Sequence, residues 1–369
     1  MALNLYQLRV QRTCVLALGL LGTIGLSCPT ATAQAPGEIE KIDPPVSGWY
    51  AKKLVVRGIP IMAHADVSNA ALEEAARRID RQLAHVPDLV DNLTCAGAQV
   101  HLIGTNQQTS DLPEFRHMKG KPFDGKLTLD ERGRGFSSLH TSASEENLLL
   151  LPSDRWDDHR DILTHEFAHT IMIIGCSSEI RERLEAQCQA SVAAGRWPGC
   201  YAATNMHEFF AELSMWYFGS RGDAGQITPP PSKGALWLRR YDPDAYRLID
   251  DIYSGRLKAG RREFAALRPA TEPEGQIRSQ RSAAATEILF FNQTDRPAKL
   301  YWLDFDGRRK SYGAVPAVDV VGQNTYVGHV WLIEDADEKT LGIFIAAPDV
   351  GRAIVGPTGA TPATQPRSI

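Results

Sequence analysis

Apolar residues recur at helical spacing in five stretches of the chain. Over Asn69–Ala84, positions Ala71, Leu72, Ala75, Ala76, Ile79 and Leu83 form one stripe, with Ser68 or Asn69 available as a cap. Asp158–Ile174 carries Ile162, Leu163, Phe167 and Ile171 on one side. Ser178–Ala194 reads as a helix ended by Gly195, Asn205–Phe218 as one ended by Gly219, and Pro243–Tyr253 as another. Ala98–Ile103 and Asn147–Leu151 read as short strands, the second stopped by Pro152. After Ala285 the pattern changes. Glu287–Asn292, Ala298–Leu303, His329–Glu334 and Leu341–Ala346 are β-branched and aromatic, separated by turn residues such as Asp306-Gly307. The expectation is an α+β domain over 47–255 followed by a small all-β sandwich domain over 285–356. Residues 256–284, charged and Pro-dotted, read as a linker. Residues 34–46 read as a Pro-rich flexible lead and residues 357–369 as a disordered tail.

The first residues follow another logic. Arg9 and Arg12 precede an apolar run from Cys14 to Leu26, and Ala31-Thr32-Ala33 offers small residues for cleavage. The run is too short for a comfortable membrane span. This is the pattern of a signal peptide over residues 1–33, cut after Ala33, so the expected location is secreted or periplasmic. Lipidation at Cys28 is the weaker alternative, because Gly25 stands three positions before it. No other stretch reads as a transmembrane segment. Cleavage would leave Cys95, Cys176, Cys188 and Cys200, an even number that in an exported chain suggests disulfides. Three pairings are open.

Composition narrows the function classes. With 369 residues, 43% hydrophobic, 23% charged and a formal net charge of -4, the chain is an ordinary globular protein rather than a disordered or fibrous one. Its basic residues are scattered, which gives no electrostatic case for nucleic acid or an anionic membrane.

The sharpest chemical signal is His165-Glu166-Phe167-Ala168-His169. Residues four apart share a helix face, so both imidazoles can reach one zinc ion, and Glu166 can take a proton from water activated there. A third ligand is needed. His207, Glu208 and Glu212 are the candidates; the two carboxylates are again four apart, with Glu208 as ligand and Glu212 orienting a ligand histidine through its second ring nitrogen.

Two family resemblances then follow. Tyr201-Ala202-Ala203-Thr204-Asn205-Met206-His207-Glu208-Phe209-Phe210-Ala211-Glu212, with the HExxH motif upstream, resembles the catalytic domain of anthrax lethal factor and its relatives. The resemblance implies a zincin-like fold and a zinc metalloendopeptidase of the gluzincin type. His165, His169 and Glu208 would be the metal ligands, Glu166 the general base and Tyr201 the oxyanion stabiliser. No counterpart of that toxin's recognition domains is visible, so its substrate choice does not carry over.

In the second region, Phe290-Phe291-Asn292, Trp302-Leu303-Asp304-Phe305 and Asn324-Thr325-Tyr326-Val327-Gly328-His329-Val330-Trp331-Leu332 resemble the β domain of the von Hippel–Lindau tumour suppressor. In that family an aromatic pocket binds hydroxyproline in an extended peptide. The matching positions are Trp302, Tyr312, Thr325, His329 and Trp331, with Thr325 where the family has Ser and Asn324 where it has His. The combined expectation is a secreted zinc metallopeptidase acting on protein or peptide, with a β domain that docks on hydroxyproline-rich protein. The alternative is a non-catalytic scaffold serving as an extracellular adhesin or interaction protein.

Overall fold

The computed structural model describes residues 37–123, 126–137, 139–155 and 160–356. The expected signal peptide and the expected tail lie outside the described residues.

The N-terminal unit is built on a five-stranded sheet. Strands β1 (Glu40–Val46), β2 (Tyr50–Val56) and β3 (Ile59–Ala63) run antiparallel, and β4 (Gln99–Ile103) and β7 (His140–Ser144) continue in parallel, in the order β1-β2-β3-β4-β7. Part of the expected flexible lead is therefore the edge strand β1. Helices α1 (Asn69–Leu83) and α2 (Pro87–Ala96) make the crossover that the parallel β3–β4 pair requires. The predicted stripe of α1 is buried to 1% exposure or less, and Ser68 caps the helix by accepting from the Ala71 amide. Between β4 and β7 lie the short hairpin β5 (Pro122–Phe123) and β6 (Leu127–Thr128), then one turn of helix, α3 (Leu129–Arg132).

The expected strand Asn147–Leu151 is instead part of a turn. The strand is β7, and the next residues form α4 (Glu145–Leu148). Pairing with β4, from Gln99↔His140 to Ile103↔Ser144, fixes the strand although its residues are mostly small and polar. Thr141 shares a 2.7 Å hydroxyl bond with Thr170. The leucines that suggested a strand do not all go inward: Leu150 is 68% exposed.

Among the described residues, five more α-helices and a helical extension follow in this unit. Helix α5 (Ile162–Thr170) continues as a π-helical turn over Ile171–Gly175. After it come α6 (Ser178–Ala193), α7 (Met206–Tyr217), α8 (Ala235–Tyr241) and α9 (Pro243–Tyr253). The predicted helices correspond to α1, α5, α6, α7 and α9. The expected start of α5 falls on residues outside the described set, and its visible start is capped by Asp161, whose carboxylate accepts from the Thr164 amide and from Arg78 of α1.

The C-terminal unit is all β, in two four-stranded sheets. Its strands are β8 (Phe264–Leu267), β9 (Ala285–Asn292), β10 (Ala298–Leu303), β11 (Arg309–Val315), β12 (Asp319–Tyr326), β13 (Val330–Glu334), β14 (Thr340–Ile345) and β15 (Val350–Val355). The sheet orders are β11-β10-β13-β14 and β12-β9-β15-β8. The expected linker thus contains β8, which pairs in parallel with β15.

The apolar run in β9 is buried on both faces, as in a strand covered from two sides. Ile288 and Phe290 enter the sandwich core with Trp331, Ile333 and Phe344. Leu289 and Phe291 face the other way and join the core of the N-terminal unit, as does Val320 of β12. A buried ion network pins the contact. Glu287 accepts from Arg181 at 2.6 Å and from Arg262 at 2.5 Å. Arg262 also donates to the carbonyls of Ile173 and Ile174 at the end of the α5 extension.

The expected disulfides among four cysteines do not form. Cys176, Cys188 and Cys200 are free buried thiols, which excludes all three pairings. Burial pushes the Cys176 thiol up to about 12, so it behaves as a small core residue. Among the described residues, no helix is long and apolar enough to cross a membrane.

Candidate metal centre and peptide pocket

Helices α5 and α7 pack side by side and bring the first motif together. Asn205 caps α7, its side-chain oxygen accepting from the amides of His207 and Glu208, and this fixes Glu208 in the first turn. His165 Nε2 lies 3.2 Å from Glu208 Oε2, His169 Nε2 lies 3.5 Å from the same oxygen, and the two Nε2 atoms are 3.1 Å apart. Four ligands around zinc at 2.0–2.1 Å stand roughly 3.3 Å from one another, so these three edges have the size a tetrahedral site requires. Glu208 Oε2 is also buried without a well-aligned hydrogen bond. Such an oxygen is costly unless a cation completes it. The donor set therefore fits zinc, and His165, His169 and Glu208 are the residues that would hold it.

The carboxylates around the site favour positive charge. Burial disfavours a charged His165, but its contacts with Glu208 and Glu212 outweigh that and push the imidazole up to about 10. For Glu208, burial is likewise overcome by His165 and His169, and its carboxyl is held well below the usual range. Glu212 Oε1 lies 3.3 Å from His165 Nδ1, on the ring side away from Glu208, while its Oε2 accepts from the Asp223 amide at 2.5 Å. Both ends of Glu212 are thus engaged, and it can fix the His165 ring. Gly222 is needed beside it, because a Cβ there would meet Glu212 Oε2 at 2.1 Å and the Trp216 ring at 2.5 Å.

Glu166 is half-buried, and burial is the main influence raising its carboxyl above the ordinary value. Tyr201 is 39% exposed, with its ring stacked over His165 at 6.4 Å between centroids. Burial and then Glu208 raise its phenol to about 12, so it keeps its proton. His207, next to Glu208, stands outside the donor set.

The β unit brings the second set together. Trp331 Nε1 donates to Thr325 Oγ1 at 3.0 Å, and His329 Nδ1 lies 3.2 Å from the same hydroxyl. The Trp302 ring lies 5.1 Å from His329, and Tyr312 stands edge-on to Trp331 at 4.9 Å. Burial lowers His329 below its ordinary value, leaving one ring nitrogen to donate and one to accept near neutral pH. Trp302 Nε1 is buried without a partner.

Residues 277–343 match the VHL beta domain family. The match spans β9 to β13 and part of β14 within the C-terminal unit, leaves out β8 and β15, and begins inside the stretch expected as a linker. VHL beta domains are a peptide-binding type, and the cluster of Trp302, Tyr312, Thr325, His329 and Trp331 lies within the matched residues.

Three residues at these sites were not singled out in the sequence. Phe305 and Tyr326 border the VHL-type cluster, 5.7 and 5.3 Å from His329. Both lie inside the quoted motifs, which is the signal that could have found them. Asp319, the first residue of β12, lies within electrostatic reach of Glu166, His169 and Glu208, and no local motif marks it.

Proposed function

We propose that the chain is an exported zinc-dependent metallopeptidase whose VHL-type β domain docks hydroxyproline-containing peptide. The reading is carried by one observation: two imidazole nitrogens and one carboxylate oxygen meet at 3.1–3.5 Å, and the oxygen is otherwise unsatisfied. This arrangement and the Tyr201–Glu212 sequence pattern support a zincin-like, gluzincin-type centre.

Zinc bound at this site would polarise the scissile carbonyl and acidify water to a pKa of about 7. Glu166, next to His165 on the same helical turn, would accept the proton and pass it to the leaving nitrogen. The protonated Tyr201 hydroxyl would donate to the developing oxyanion, a role worth roughly 3 kcal/mol in comparable sites. Glu212 would hold the His165 ring. In the β domain, aromatic faces would pack on a pyrrolidine ring, while Thr325 and His329 would bond its 4-hydroxyl.

The test uses purified protein against a peptide library, with and without a chelator. Turnover is expected to need zinc. Glu166→Gln is expected to keep the metal and lose about 100-fold or more in kcat. Unchanged turnover in that variant excludes the mechanism. For the β domain, a hydroxyprolyl peptide should bind the full chain more tightly than its prolyl counterpart, and His329→Ala should erase the difference.

A further inference from the structure

The two sites share one strand. β12 begins at Asp319, beside the donor cluster, and ends with Thr325 and Tyr326 in the aromatic pocket. Its start is wedged into the N-terminal unit. Ala317 and Val318 pack with Tyr50, Ile103 and Phe115, and Val320 enters the core that contains α5 and its extension. Asp319 accepts from its neighbour's amide, at 2.7 Å from Val320 N. Its carboxylate is an acidic group within electrostatic reach of His169 and Glu208 of the donor cluster.

β12 is also an edge strand, last in the order β12-β9-β15-β8. Among the described residues its far side pairs with no strand, so an extended chain can add there. A groove follows it, lined by Met206 at the start of α7, Arg181, Glu182 and Glu185 on α6, and Gly322 and Asn324 on β12. The groove therefore joins the helix that carries Glu208 to the residue before Thr325, and on its helical wall Glu182 and Glu185 stand beside Arg181, whose charge is met by Glu287.

From these placements we propose that β12 acts as a ruler: one extended, basic polypeptide lies along the inter-unit groove with a hydroxylated proline in the Thr325–His329 pocket and its cleaved bond at the His165–His169–Glu208 centre. This rests on the functional reading above and adds a fixed spacing to it. Thr325 stands six positions after Asp319, about 20 Å of strand at roughly 3.3 Å per residue. An extended substrate has nearly the same rise. With the short reach from Asp319 to the metal ligands added, the anchored ring falls about six to nine residues from the scissile bond. Glu182, Glu185 and Asp319 select Lys or Arg in the intervening stretch over Asp or Glu.

The experiment is a binding series on zinc-loaded full-length Glu166→Gln protein, read by calorimetry. Each probe carries a hydroxamate, which seeks zinc, and a hydroxyproline, separated by 3, 6, 8, 10 or 14 residues in both chain directions. Single-headed peptides are the controls. Affinity is expected to peak at about 6–9 residues in one direction, roughly 100-fold above the better single head, because the second contact becomes intramolecular. Thr325→Val is expected to flatten the series to the hydroxamate-only value, and Glu-rich spacers to weaken it. If both single heads bind but no spacing exceeds them, the ruler is overturned while the functional reading stands. If either single head fails to bind, the functional reading falls and the ruler with it.

Discussion

Two acidic side chains and one imidazole illustrate how much a single residue can report. Glu212 touches His165 Nδ1 and the Asp223 amide, so removing its charge frees a ligand ring to turn. Glu212→Gln should weaken zinc binding about 10–100-fold, measured by competition with a chromophoric chelator. His140 opens β7 and stacks on His101 at 4.7 Å, with its Nδ1 buried and unpartnered. Burial lowers its imidazole to about 3, against 6.5 ordinarily. As pH falls, the unfolded chain therefore takes up the proton first. The stability this group contributes is whole above pH 6.5 and is lost progressively towards pH 3, at up to about 1.4 kcal/mol per pH unit. Thermal melts between pH 7 and pH 4 should show that slope, and His140→Phe should make it shallower. An equal slope in the variant would assign the acid sensitivity elsewhere. The meeting of His165, His169 and Glu208 was legible in the sequence because each pair, His165 with His169 and Glu208 with Glu212, sits four apart on one helix, where spacing alone fixes the face. Asp319 was illegible because it reaches the same cluster from a strand of the other unit, and no local pattern encodes that approach.

At the scale of elements, the helices followed their periodicity, and the strands were legible where an apolar run marks them, as in β9, β10, β13 and β14. α1 and α9 lie within a residue of their predicted ends because stripe, cap and terminator agree. β7 was hidden by composition: His140, Thr141 and Ser142 make an unpromising strand until β4 supplies its ladder. β12 was missed for another reason. Val320 faces the N-terminal core while Val321 packs on the sandwich core, so no single alternation describes it. The contact these elements make depends on Glu287. Replacing it with Ala leaves the guanidinium groups of Arg181 and Arg262 buried without their shared counter-ion. The expected cost is about 3–5 kcal/mol, read from denaturant midpoints. Glu287→Gln, which keeps the shape and some hydrogen bonding, should cost less. A loss under about 1 kcal/mol in Glu287→Ala would mean that water replaces the carboxylate freely.

For the molecule as a whole, the two units share apolar core through Leu289, Phe291 and Val320. They should therefore melt together, and calorimetry should give one endotherm whose calorimetric and van't Hoff enthalpies agree. Two well-separated endotherms would mean the shared core contributes little. The sequence showed two fold types in the right order but misplaced the seam between them, because Arg256–Ala284 is polar enough to read as a tether. In the folded chain that stretch holds β8 on β15, Arg262 on Glu287, and Ser279, whose hydroxyl accepts from the Val330 amide. A practical consequence follows for any attempt to transplant the C-terminal module onto another enzyme. A cassette cut at Ala285 would leave behind an outer strand, a buried guanidinium and a strap across β13. A splice placed ahead of Arg261 carries all three, and shuffling in nature meets the same grain.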